Sequence, residues 1–177
     1  MGRSLATGHL VGKVPESSFG IAGIRYRHSL GTAFGRRATV AYTGGFVGAH
    51  LRIPRSSRPL RADSTQPTTA LATSGIGLTP LGMEVAWRPQ SLVQPFISGH
   101  TGFIYFFESV PDRQGKNVNF TASLGLGLRL RLFDASRLTV GYRYHHTSNG
   151  FRGQINPGVD ANLFYAGVTL FPGLLGR

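Results

Sequence analysis

The side chains whose types could do covalent chemistry gather near the C-terminal end of the chain. His146 and Ser148 stand two residues apart, and Asp160 follows the serine by twelve. If residues 146–148 are extended, the imidazole and the hydroxyl share a face with Cα atoms about 6.6–6.8 Å apart, a separation that lets a ring nitrogen reach the oxygen. Hydroxyl, imidazole and carboxylate are the parts of an acyl-transfer triad: a nucleophile, a base, and an acid that fixes the tautomer and stabilises the imidazolium. Asn149 and Gly150 come directly after the hydroxyl. Their N–H groups either donate to an oxyanion or start a loop. Zero cysteines exclude a thiol nucleophile, a Cys-ligated metal and a disulfide framework. His9, His28, His50, His100 and His145 are dispersed without metal-ligand spacing, so neither metal nor cofactor is expected.

The elements that must hold these residues are strands. Over 118–132, Val118, Phe120, Ala122, Leu124, Leu126, Leu128, Leu130 and Leu132 alternate without error with Asn119, Thr121, Ser123, Gly125, Gly127, Arg129 and Arg131. One face is wholly apolar and the other small, polar or cationic. Fifteen residues exceeds the ~5–6 of an ordinary globular strand. The pattern returns over 137–148, with Leu138, Val140, Tyr142 and Tyr144 on the apolar face, and over 160–171, with Phe164, Ala166, Val168 and Leu170. His146 and Ser148 continue the first row and Asp160 opens the second, so all three are expected to point outward at one rim, with Arg129, Arg131, Arg143 and His145 inside. Weaker strands are predicted over 18–28, 37–51, 74–87 and 95–107, and a short leading piece, about 4–11, is either an eighth or the remains of one. Connectors are expected at 29–36, 54–69, 88–94, 108–116, 134–136 and 149–159, short and long in rough alternation.

Long strands, apolar on one face and small or polar on the other, joined by alternating short turns and long loops, are the signature of an outer-membrane barrel. Tyr142, Tyr144, Phe164, Phe171, Trp87 and residues 105–107 fall mostly near strand ends and fit an aromatic girdle. The expected fold is all-β: a single antiparallel eight-stranded barrel spanning residues 1–177 as one domain, its first strand short. Arg129, Arg131 and Arg143 suit a small barrel filled by its own polar side chains. On such a rim, unpaired polar groups are costly, and His146, Ser148 and Asp160 can satisfy one another. A second reading leaves them as plain rim polarity, with the imidazole at headgroup level and Ser148 and Asp160 capping a loop.

Composition narrows the alternatives. Nineteen Lys+Arg against seven Asp+Glu give a net charge of +12, while hydrophobic residues make up 41% of the 177 positions, too many for a disordered basic tail. Glycine at 25 and proline at 10 disfavour long helices. Neither 64–83 nor 89–107, the longest uncharged stretches, is an apolar run fit for a spanning helix. The first residues carry no secretory signal, so the expectation is either a protein that stays inside or a start displaced from the true one. Arg52, Arg55, Arg58, Arg61 and Lys116 could track a phosphate backbone, but no nucleic-acid recognition motif accompanies them. On a barrel rim the same cations meet the phosphates and carboxylates of lipopolysaccharide.

Tyr144-His145-His146-Thr147-Ser148-Asn149-Gly150, followed by Asn156-Pro157-Gly158 and an aromatic-rich last strand, resembles the C-terminal signature of the lipid A 3-O-deacylase family, often labelled acyloxyacyl hydrolase-like. Weaker likenesses lie in Gly8-His9, in residues 19–26 and in Pro80-Leu81-Gly82-Met83-Glu84. The resemblance implies an eight-stranded barrel in the cell outer membrane that hydrolyses an ester-linked acyl chain of lipid A. It also implies His146 as base, Ser148 as nucleophile and Asp160 as acid, with lipopolysaccharide and outer-membrane lipids as partners, no nucleic acid, and room for a homodimer. Asp160 stands where the family carries glutamate, and the chain continues six residues past Phe171. Against the family, Met1 would fall within or just after the beginning of the first strand. The rival readings are a noncatalytic small barrel that binds through its loops and a soluble basic β domain for polyanions.

Overall fold

The computed structural model describes residues 2–6, 14, 17–54, 70–133 and 136–170. All of its regular structure is strand: β1 (Gly2–Ala6), β2 (Ser18–Ala33), β3 (Ala38–Ile53), β4 (Leu71–Trp87), β5 (Val93–Val110), β6 (Lys116–Phe133), β7 (Ser136–Ser148) and β8 (Val159–Leu170). Among the described residues no helix is long and apolar enough to cross a membrane, which leaves crossing by strands untouched. Each strand pairs antiparallel with the next. Seven long strands make the sheet, and the five-residue β1 joins its edges into a barrel, matching β2 at only two positions and β8 at four.

The strands run longer than the alternation alone suggests. β2 continues to Ala33 through residues expected to be a connector, and β5 and β6 take up residues 108–110 and 116 of the expected 108–116 link. Paired backbone extends a strand past the point where its side chains stop alternating, because ladder hydrogen bonds satisfy the peptide groups whatever the side chain. The leading strand is Gly2–Ala6 and not 4–11. His9, Arg55, Arg58, Arg61 and Phe171 lie outside the described residues.

The rows fall as the pattern in β6 requires. Leu124 and Leu126 are 70% and 58% exposed, whereas Thr121, Ser123 and Arg129 are buried. A continuous apolar exterior around a partly polar interior inverts the usual globular arrangement. The interior is layered and not uniformly polar, which departs from the sequence expectation. At the end where β7 finishes, Val14, Phe19, Leu51, Ile104, Phe106, Val159, Ala161 and Leu163 form an apolar plug. The charges lie deeper, where Glu84 accepts from Arg129 at 2.7 and 2.8 Å and from Arg27 at 2.9 Å. Arg129 also lies over the Phe96 ring at 5.2 Å, and Arg143 over the Tyr165 ring at 5.0 Å. Arg131 faces inward but is only half-buried at the barrel's opposite end, where it donates to the Gln90 carbonyl.

Removing the one carboxylate of this charged layer leaves two guanidinium groups uncompensated. We expect Glu84→Gln to destabilise the barrel by roughly 3–5 kcal/mol, the usual cost of breaking a buried ion pair from one side. The check is the urea midpoint of the heat-modifiable gel shift, with wild-type chemistry per folded molecule because the layer does not reach His146.

The candidate active site

Connections 34–37 and 88–92 lie at one end of the barrel, and 111–115 and 149–158 lie at the other, where β3 also ends at Ile53 and β4 begins at Leu71 with seventeen residues of sequence between them. The triad candidates sit at the second, long-loop end. β7 delivers His146 and Ser148 on its outward row, because Arg143, His145 and Thr147 take the inward positions and are buried. His145 stacks on Phe19 at 5.0 Å in the interior, as filler. The β7–β8 register sets His146 directly opposite Asp160, and the β6–β7 register sets Ala122 on its other side and Phe120 opposite Ser148. Residues directly opposite on one face have Cβ atoms about 4.5–5.5 Å apart, which brings long-range partners together without a loop having to aim them.

His146 Nδ1 lies 2.7 Å from Asp160 Oδ1. An ionised carboxylate only accepts, so Nδ1 carries the proton and Nε2 is left as the basic nitrogen. The aspartate reaches the ring even though its side chain is one methylene shorter than glutamate. Its surroundings differ from the expected open rim: Asp160 is fully enclosed at 0% exposure, while the His146 side chain keeps 20%. Enclosure follows from its place at the foot of the 149–158 loop, where the neighbouring Gly158 carbonyl accepts the Val14 N–H and Val159 belongs to the plug. Among the described residues no hydrogen bond joins His146 to Ser148, and Ser148, half-buried, lines a narrow cleft with Asn149, Asn156, Pro157 and Gly158.

The two oxyanion candidates separate. Asn149 is buried at 1% exposure and is tied into the loop: its backbone N–H goes to Asn156 Oδ1 at 2.9 Å, and one Nδ2 hydrogen goes to the Ile155 carbonyl at 2.6 Å. It holds the loop, and its backbone N–H, already committed to Asn156, cannot donate again at full strength. Gly150 adopts φ 64° and brings the chain over Phe120, whose ring a Cβ there would meet at 2.9 Å. Its N–H has no partner among the described residues. Sequence reasoning missed Asn156, which appears in the signature only as part of Asn-Pro-Gly. Its Oδ1 is fixed by Asn149, so its NH2 side is the free edge of an oriented amide. A short polar side chain before Pro-Gly, opposite an Asn at the loop's start, is the signal that could have found it.

We expect Asn149→Ala to loosen the loop by about 1–3 kcal/mol, the cost of stranding buried partners. Tryptic cleavage after Arg152 would then rise while the barrel stays intact, and activity would fall several-fold.

Outward polarity next to the site is also satisfied. The Tyr142 hydroxyl donates to Asn162 Oδ1, and the Tyr142 and Phe164 rings meet at 5.5 Å. Among the described residues no cluster of His, Asp and Glu could hold a metal ion.

No curated protein matches the chain. The crystal structure of the outer membrane enzyme PagL is similar to it, with 19% identity, a TM-score of 0.59, and coverage of 85% of this chain and 89% of that one. At that identity the likeness speaks for the fold. The profile of the lipid A 3-O-deacylase (PagL) family matches residues 20–169, nearly all of the described sheet and the whole His146–Asp160 segment. The chain therefore belongs to the lipid A 3-O-deacylase family.

Proposed function

We propose that this protein is an outer-membrane esterase that removes an ester-linked acyl chain from lipid A, working as an eight-stranded barrel with its long loops on the outer side. Loop lengths support the orientation, since barrels of this kind keep short turns toward the periplasm and longer loops outside. The site end then lies in the leaflet that carries lipopolysaccharide.

The observation that carries the reading is the His146–Asp160 pair at 2.7 Å on the outward row, with Ser148 next along that row. A carboxylate enclosed behind an imidazole on a lipid-facing surface has no role in burying apolar area, and a structural rim residue would be left open to headgroups and water. In the proposed reaction Nε2 of His146 takes the Ser148 proton as the hydroxyl oxygen attacks the ester carbonyl. Asp160 holds the ring and stabilises the imidazolium. The Gly150 N–H and the Asn156 amide supply donors for the oxyanion. As the ester C–O bond breaks, the protonated ring gives its proton to the departing sugar oxygen, which leaves as a hydroxyl, and water releases the acyl group from Ser148 by the same steps. No metal or cofactor enters.

The test is lipid A mass from a lipopolysaccharide-making host that expresses the protein. Loss of one hydroxyacyl chain is the expected result. Unchanged mass, with the barrel folded in the outer membrane, would leave the noncatalytic barrel as the better reading.

A further inference from the structure

Arg152 lies in the 149–158 loop and is held more firmly than a surface cation needs to be. Its guanidinium carbon sits 4.5 Å from the centroid of the Phe120 ring, its Nε donates to the Asn149 carbonyl at 3.0 Å and one terminal nitrogen donates to the Val118 carbonyl at 2.7 Å. Two of its five N–H donors are committed and three remain. Among the described residues it makes no ion pair. A guanidinium held over a ring, without an ion-pair partner among the described residues, at an exposed position is preorganised for an oxyanion ligand.

Its place along the sheet says which ligand. Phe120, the ring beneath Arg152, is directly opposite Ser148. Down the outward row of β6 from that point come Ala122, level with His146, and then Leu124, Leu126 and Leu128, all exposed. Up the row come Val118 and the exposed Lys116. Apolar surface, ester chemistry and cationic surface therefore follow one another along about 40 Å of strand. An acylated, phosphorylated lipid has the same order: hydrocarbon, ester, charged headgroup.

We propose that Arg152 binds a phosphate monoester of the lipid headgroup and so sets the acyl ester at Ser148. This rests on the hydrolase reading above and adds a subsite to it. Lys116 lies further out and supplies attraction without contact.

The test compares purified wild type with Arg152→Gln in mixed micelles, on lipid A carrying its phosphates and on the same lipid A dephosphorylated. The expected result is a KM raised roughly tenfold by Arg152→Gln for the phosphorylated lipid, the effect of losing a charge-assisted hydrogen bond, with kcat within about twofold and no change in KM for the dephosphorylated one. An equal rise for both lipids would make Arg152 a loop staple and overturn the proposal, as would no rise for either. Inorganic phosphate binding at Arg152, with no preference between the lipids, would assign it to free phosphate and equally overturn the headgroup role. If Arg152→Gln loses its heat-modifiable mobility, Arg152→Lys makes the same comparison with the charge kept and the fork removed. Wild type that cleaves neither lipid would sink the hydrolase reading alone. Micelle binding of the two lipids to wild type and variant would then still decide the subsite.

Discussion

Replacing Ser148 with alanine is expected to abolish acyl release, and His146→Ala to do the same, each loss being on the order of 10⁴–10⁶-fold in rate. The double variant should be no slower than either single one, because nucleophile and base act as one unit and removing half of it disables the rest. Both barrels should fold. The two side chains are half-exposed at the end of β7, and neither contributes to the apolar plug or to the Glu84 layer. Heat-modifiable mobility measured beside activity separates lost chemistry from lost assembly. Losses that multiply would mean that the two residues act separately and would count against a shared proton transfer.

Asp160→Asn is the second large effect, about 10⁴-fold by analogy with the same exchange in a serine protease. An amide at that position cannot stabilise an imidazolium, and its NH2 edge would favour the tautomer with the proton on Nε2, which cannot accept from Ser148. The structure also fixes the sign for Asp160→Glu. Asp160 already reaches Nδ1 at 2.7 Å from an enclosed position, so an added methylene has no gap to close and must be fitted against packed neighbours. We expect Asp160→Glu to retain activity but not to exceed wild type. Rates for both variants, taken per folded barrel from purified lipopolysaccharide, check the pair. Equal rates for wild type and Asp160→Asn would reduce the site to His146 and Ser148.

The site was legible where a period-two rule governs and illegible where contacts are long-range. Alternation in residues 118–132 and 137–148 is enough to put His146 and Ser148 on the outward row and Arg129 and Arg143 inside, because a strand's side chains have only two directions. It cannot say that Asp160 is enclosed, which depends on Val14 and the 149–158 loop folding over its strand end. Nor could it reveal the Asn149–Asn156 clamp or the seat of Arg152 on Phe120, since each joins residues that no periodicity relates. The apolar plug was missed for a related reason. β6 and β7, the strands with the cleanest pattern, carry the polar inner faces, whereas Phe19, Leu51, Ile104 and Phe106 come from strands whose two faces are both apolar enough to blur the alternation. β1 was misplaced by a few residues because five positions are too few for a period to register.

The most direct measurement is free hydroxy fatty acid, with the matching mass of lipid A, after purified lipopolysaccharide is incubated with folded wild type and with folded Ser148→Ala. The account predicts one equivalent of fatty acid released and one acyl chain lost from lipid A with wild type, and neither with Ser148→Ala. Intact lipid A after incubation with wild type, or release that persists in Ser148→Ala, would contradict it.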